Sequence, residues 1–366
     1  MSRRSPSAAF AASTRRRAAI LGACLSSMGV CWNVAAFPAE IARFGPVSVR
    51  SIEASAGFSR NDNILGSSPA EIRAFETADP GSFFVVESLD DRALEGRLAL
   101  ELATPSIGGS SLQWKLAAEE VRYINNPIRS GSVYSLDLKQ KFLRRAAFSL
   151  GIEFAPVTYA RHRRDKDAGP GQPAFRADAS SEAEYTGRLA VSISKAITPS
   201  ITGSYGDKDY RPAFDERDQW RRGAGAGLAI RALREVTLDL DYEYARCNSR
   251  NSSIVGGDLS YREHVIALKA RGRLPAGITG SVSVKEKFRR YTTDDAGDLN
   301  RYLRKDLIGL IEFRLARALA GPVGTYAAYK RYDRTARVPS SAGIGVDDEG
   351  SYEANVVAAG ITFTWE

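Results

Sequence analysis

Val236-Thr237-Leu238-Asp239-Leu240-Asp241-Tyr242-Glu243-Tyr244-Ala245-Arg246 alternates between apolar or aromatic side chains and polar or charged ones. A period of two places Leu238, Leu240, Tyr242 and Tyr244 on one face of an extended strand and Asp239, Asp241 and Glu243 on the other. A helix would scatter both sets around its circumference. The same period runs through Ala146-x-Phe148-x-Leu150-x-Ile152-x-Phe154 and through Tyr185-x-Gly187-x-Leu189-x-Val191-x-Ile193.

A soluble sandwich also alternates, so strand length and connection decide the class. The pattern predicts strands near 47–59, 82–103, 111–124, 132–143, 146–161, 182–194, 200–210, 220–231, 236–246, 259–273, 278–291, 302–315, 323–333 and 352–365. Most run ten to sixteen residues, whereas strands of globular proteins average about five or six. Tight turns such as 232–235 and 274–277 take turns with polar loops such as 61–81, 162–181 and 334–351. That asymmetry is expected of a membrane barrel with short periplasmic turns and longer external loops. No apolar run in residues 37–366 approaches the length of a membrane helix. The fold class predicted is all-β: a transmembrane, antiparallel, up-and-down β-barrel of about fourteen strands, within a range of twelve to sixteen. The segment 82–103 is too long for one spanning strand, and Asp90-Asp91 marks where it leaves the membrane.

The chain has 366 residues and a formal net charge of +8. Arg3, Arg4, Arg15, Arg16 and Arg17 precede residue 37 with no acid among them, and without those five the rest carries only +3. Nucleic-acid binding loses its compositional support. The basic run is followed by an apolar stretch, 18–34, and then Ala35-Ala36-Phe37. This is the pattern of a secretory signal, so residues 1–36 are expected to be cleaved and 37–366 to form an outer-membrane barrel. Leu21-Gly22-Ala23-Cys24 also has the form of a lipoprotein box, but the apolar stretch before Cys24 is short for one. After cleavage Cys247 stands alone, which leaves no internal disulfide and no thiol metal cluster.

In the last strand, Val357, Ala359, Ile361, Phe363 and Trp365 alternate up to an aromatic at the penultimate position. Ile361, Phe363 and Trp365 are the expected signal to barrel-assembly machinery. Closure itself is required, because an open edge would leave backbone donors unpaired in hydrocarbon.

Gly57-Phe58-Ser59-Arg60-Asn61-Asp62-Asn63-Ile64 resembles the Gly-aromatic-x-x-x-Asp-Asn-Val/Ile signature of an outer-membrane β-barrel porin-like family, the β-barrel porin 2 type. Tyr242-x-Tyr244-x-Arg246 with Asn248, Ser249 and Asn251 is similar to later strand ends of that family. The resemblance implies the architecture and says little about cargo.

Gly223-x-Gly225-x-Gly227 lacks the spacing and the following helix of a dinucleotide loop and reads as three small residues on one strand face. His162 and His264 are the only imidazoles, too few for a zinc site. The enzyme alternative is a hydrolase with Ser and His on the outer wall. His264 shares parity with Ser260, but four residues of strand separate them, over about 12 Å, too far for a nucleophile–base contact. No enzymatic activity, cofactor or metal is expected.

Taking each apolar set as lipid-facing leaves a charged lumen. Its basic members include Arg97, Lys115, Lys139, Lys141, Arg188, Arg231, Lys269, Arg271, Lys285, Lys287, Arg289 and Arg314. The acids include Glu95, Glu101, Glu119, Asp137, Glu153, Asp239, Asp241, Glu243 and Glu312. The acidic strand 236–246 precedes the basic strands 259–273 and 278–291, which is expected to set a field across the pore. A register placing Asp239 against Arg271 and Asp241 against Lys269 is expected between the first two. The function expected is a passive channel for small polar or anionic solutes, sugars among them. The alternative is a non-conducting scaffold or partner in polysaccharide export or surface assembly. Expected partners are the lipid bilayer, lipopolysaccharide, the assembly machinery, and a small polar solute or a polysaccharide.

Overall fold

The alternation along Val236–Ser249 recurs in fourteen antiparallel strands, and the last pairs with the first to close a barrel. A computed structural model of the chain describes residues 47–77, 85–104, 112–142, 145–164, 175–250, 258–293, 298, 301–338 and 350–365. The expected signal segment 1–36 lies outside the described residues. In chain order the strands are β1 (Ser48–Asn61), β2 (Asp91–Thr104), β3 (Leu112–Tyr123), β4 (Gly131–Phe142), β5 (Ala146–Arg164), β6 (Phe175–Val191) and β7 (Ile197–Tyr210). They continue as β8 (Gln219–Leu233), β9 (Val236–Ser249), β10 (Tyr261–Arg273), β11 (Ile278–Tyr291), β12 (Lys305–Ala320), β13 (Val323–Arg337) and β14 (Tyr352–Trp365). Each strand pairs with its sequence neighbours, so the topology is up-and-down throughout.

The outward face explains why this sheet belongs in lipid. Leu228, Leu240, Leu268, Val284 and Ile311 lie in direct register across five adjacent strands. Leu240 and Leu268 are each 46 % exposed and Ile361 is 60 % exposed. Soluble monomers rarely present a contiguous apolar surface of this extent, and hydrocarbon is the solvent that suits it. Among the described residues no helix is long and apolar enough to cross a membrane.

Several boundaries depart from the sequence expectation: β12 runs from Lys305 to Ala320 against 302–315 and β13 reaches Arg337 against 333, and three further departures have a visible cause. The strand expected at 82–103 begins at Asp91. There the Asp91 carboxylate accepts from the backbone N–H groups of Asn125 at 3.1 Å and Asn126 at 2.7 Å, and from Asn126 Nδ2 at 2.9 Å. A side chain holding the neighbouring loop ends the run of ladder bonds. β5 and β6 extend further toward their shared loop than expected, and their register shifts between Ala155 and Thr158 and between Tyr159 and Arg161. Pro156 lies in the first shift and has no N–H to give the ladder, so the bulge there erases the alternation that would have revealed the extension. The loop after β1 contains a short helix, α1 (Pro69–Glu76). Ser68 caps it: its Oγ accepts from Glu71 N–H at 3.2 Å, while Glu71 Oε2 accepts from Ser68 N–H at 2.9 Å.

The seam between β1 and β14 pairs Ile52 with Trp365, Ala54 with Phe363, Ala56 with Ile361 and Gly57 with Gly360. The Tyr326 ring lies over the two glycines; a Cβ on Gly360 would come within 2.7 Å of Tyr326 Cε1. The ring supplies on the inner face the cover that the glycines lack. Ile361, Phe363 and Trp365 all point outward and are exposed.

The residues that resemble the porin-like signature secure the first loop to this seam. Asn63 Nδ2 donates to Ser67 O and to Glu353 O, each at 2.8 Å, and the Asp62 carboxylate accepts from Asn355 N–H at 2.6 Å and Asn355 Nδ2 at 2.8 Å.

Candidate functional site: the charged lumen

Ladder register and parity place the side chains of Lys139, Arg188, Asp239, Asp241, Glu243, Lys269, Arg271, Lys285, Lys287 and Arg289 on the inner face, opposite to the exposed apolar set. Their grouping differs from the sequence expectation. Asp239 stands opposite Lys269 and Asp241 opposite Ala267, a shift of two residues from the expected register. A two-residue shift preserves every side chain's face. Asp239 still meets Arg271, diagonally, at 2.7 Å.

The acids of β9 are held by cations on other strands, and glycines make this possible. A Cβ at Gly227 would run into the Asp241 carboxylate and would lie 2.9 Å from Arg188 Nη2. Without it, Asp241 lies across β8 and reaches Arg188, three strands away, at 3.2 Å. A Cβ at Gly223 would run into the Glu243 carboxylate in the same way. Glu243 instead takes Arg221 at 3.1 Å and a hydrogen bond from Ser204 Oγ at 2.5 Å. The glycine triplet on β8 is thus a trough for charged side chains.

Two residues at the centre of this network, Arg221 and Glu263, were not among the residues picked from sequence. Glu263 is 1 % exposed. Arg289 donates to its Oε2 through Nε at 3.1 Å and Nη2 at 2.8 Å, and Arg221 lies 3.5 Å from its Oε1. The Arg289 guanidinium also stacks 3.9 Å above the Tyr261 ring. Arg221 was legible in principle, since it shares parity with Gly223, Gly225 and Gly227, and Glu263 shares parity with Lys269 and Arg271.

Each β9 acid is thus paired with a cation of β10, β6 or β8, so β9 does not stand as an unpaired acidic strand beside the two strands after it. Charge is left over elsewhere. Glu153 on β5 lies among Glu119, Asp137, Glu182 and Glu184 of β3, β4 and β6. Half-way round the barrel, β11 to β13 carry Lys285, Lys287, Arg314, Lys330 and Arg334 on the inner face. Neighbouring opposite charges cancel; only charges separated by the lumen leave a field across it. Half of these groups are paired locally: Glu182 with Lys208 at 2.7 Å, Glu119 with Arg97 at 3.3 Å, Glu184 with Arg221 at 3.8 Å, Lys330 with Glu312 at 3.8 Å, and Arg334 with Asp306. Among the described residues Glu153, Asp137, Lys139, Lys285 and Lys287 form no ion pair. A cavity of about 440 Å³ lies between the walls, lined by Glu153, Glu184, Arg221, Tyr261, Arg289 and Arg334 among others.

The structure does not bring Ser260 and His264 together. Ser260 Oγ accepts from Ser249 N–H at 3.0 Å, and His264 Nδ1 is hydrogen-bonded to Tyr242 OH at 2.8 Å on the outward face. His162 is bonded to Tyr159 OH at 2.8 Å.

No family model matches the chain, and no curated protein matches it. Among solved structures it is similar to the outer membrane channel DcaP of Acinetobacter baumannii, at 11% identity over 90% of this chain and 100% of that one, with a TM-score of 0.48. It is also similar to an anion-selective porin from Comamonas acidovorans, at 10% identity over 87% of this chain and 100% of that one, with a TM-score of 0.43. OmpT of Vibrio cholerae, an outer-membrane protein, shows 9% identity over 89% of this chain and 100% of that one, with a TM-score of 0.45.

Proposed function

We propose that the chain is a non-enzymatic, passive channel of the outer membrane for small polar or anionic solutes, exported with cleavage after Ala36. The observation that carries this reading is the separation of unpaired charge across the lumen: Glu153 within its acidic cluster on one wall, Lys285 and Lys287 on the other, while Asp137 beside Glu153 faces Lys115 across the ladder without an ion pair. A lumen packed shut would have reason to pair these groups, since an ionised side chain is costly to bury alone. In a water-filled passage they stay hydrated and their field acts on the solute. The similarity of Gly57–Ile64 to the β-barrel porin 2 type agrees with this reading. The second reading, a non-conducting scaffold, is favoured by the ion-paired network around Glu263 and Arg221, which knits β6 to β11.

Planar-bilayer recording under a salt gradient separates the two. Lys285→Glu with Lys287→Glu should shift the reversal potential toward cations, and Asp137→Asn with Glu153→Gln toward anions. Absence of conductance from the folded protein would establish the scaffold instead. N-terminal sequencing of the membrane-inserted protein tests the cleavage, with an acylated Cys24 as the contrary result.

A further inference from the structure

On the outer surface, Arg222 of β8 stands directly opposite Arg246 of β9, Arg246 opposite Arg262 of β10, and Arg262 opposite Arg290 of β11. The row continues with Lys305 of β12 and Arg337 of β13, each opposite the one before. All six are exposed. Each lies within three positions of the long-loop end of its strand. Six cations in unbroken register span about 24 Å at the spacing of paired strands. Like charges placed directly opposite destabilise a ladder. None of the six forms an ion pair among the described residues, although Glu286 and Asp333 share the outward face lower down. Their only polar side-chain partner among the described residues is Asn248, which accepts from Arg246 Nε at 2.9 Å, while Arg222 stacks 4.4 Å over Trp220.

The other side of the barrel shows what an ordinary outer rim does with arginine. Arg60 and Arg122 also point outward near the loop end, and they meet Asp90 at 3.1 Å and Glu120 at 2.7 Å; Arg92, opposite Arg60, is an outward cation there without an ion pair among the described residues. The row on β8 to β13 differs in length and continuity: six successive cations whose positive charge no described residue balances.

Position indicates what balances that charge. Two residues below the row, on the same face, are Tyr244, His264 and Phe288, the aromatic belt of a membrane boundary. Six residues below are Leu240, Leu268 and Val284 of the apolar band. The cations thus stand where headgroups stand. Arginine holds phosphate through paired N–H donors, which is the bond that such a site offers. Barrel strands are tilted, so a row drawn along the ladder crosses the boundary obliquely and suits a headgroup with phosphates at more than one depth. We propose that this arc is a binding site for the phosphorylated glycolipid of the outer leaflet, gripping it through the phosphates of its lipid A-type headgroup.

The test uses the folded barrel in detergent, titrated with bisphosphorylated lipid A, with the same lipid after phosphatase treatment, and with inorganic phosphate. Binding is read by native mass spectrometry and folding by heat-modifiable gel migration. Arg246→Gln with Arg262→Gln and Arg290→Gln should weaken binding of bisphosphorylated lipid A at least tenfold. Removing the phosphates should do the same to the unaltered protein. A charge-matched control, Arg60→Gln with Arg92→Gln and Arg122→Gln, should bind normally. If the triple variant fails to fold, Arg262→Gln alone should still weaken binding about threefold. The proposal is overturned if the row and control variants bind alike, or if inorganic phosphate competes as well as the lipid does. Conductance of the row variant should be unchanged, so failure here leaves the channel reading standing.

Discussion

Arg221 and Arg222 are consecutive residues in opposite settings, and Arg289 and Arg290 repeat the contrast on β11. The inner member of each pair lies against buried Glu263; the outer member stands in the row of unpaired cations. Composition treats each doublet as two equal charges. Strand geometry sends them into two media, and their energetic roles follow from what each medium contains. Inside, Glu263 is almost out of contact with solvent and depends on Arg289 and Arg221. Outside, Arg290 loses nothing internal if it is removed.

The sharpest way to break that comparison is to neutralise each arginine alone. Arg289→Met would leave Glu263 with one cation at 3.5 Å. Stranding a buried partner should cost about 3 kcal/mol, at the low end for buried pairs because Arg221 remains. Arg290→Met should cost under about 0.5 kcal/mol, as exposed substitutions usually do. Urea midpoints of the two variants in detergent provide the measurement. Equal losses would mean that parity does not separate the roles.

A second neighbouring pair tests the same geometry at the closing seam. Trp365 points to lipid and Thr364, one residue earlier, to the lumen. A charge on the lipid face near a boundary costs about 1 kcal/mol or less in place. The larger effect of Trp365→Asp should come during assembly, if the aromatic end of β14 is what the assembly machinery reads. Outer-membrane levels of Trp365→Asp should fall several-fold, and those of Thr364→Asp should stay close to the unaltered protein. Matching levels would remove the assembly role of Ile361, Phe363 and Trp365.

The barrel was legible because alternation is a local property. Leu238 to Tyr244 declares its two faces without reference to any other strand, and fourteen such segments require closure. Pairing is not local. β9 and β10 are joined by a long loop, so no tight turn sets their register, and either pairing of Asp239 keeps every side chain on its proper face. The charge network depends on that register and on the trough along Gly223 to Gly227, neither of which a single strand reveals. Arg221 is hard to read in the sequence for a simpler reason. The apolar face of β8 is built from Ala224 and Ala226 as well as Leu228, so its alternation is weak near Arg221. Helix α1 did carry a local signal, Ser68-Pro69-Ala70-Glu71, a capping box with proline at the first turn.

The smallest effect concerns a carboxylate on neither face. Asp218 lies in the loop between β7 and β8, where Tyr210 N–H donates to its Oδ1 at 2.6 Å. Burial pushes its pKa up to about 6, with nearby Asp209 adding to the rise while the Tyr210 bond and Arg250 oppose it. A raised folded-state value means that the folded loop holds the proton more tightly than the unfolded chain does. Its contribution to stability is therefore full below the ordinary carboxylate value of 3.8 and is lost as pH rises through about 6. Amides of the 211–218 loop should exchange more slowly at pH 5 than at pH 7.5 once intrinsic rates are divided out. Asp218→Asn, which cannot ionise, should remove most of that difference while leaving the inner network around Arg221 intact. If the unaltered loop shows no change between the two pH values, burial does not govern Asp218, and the loop is held by its 3-10 turn, Pro212–Arg217, and by the ion pair between Arg217 and Asp178.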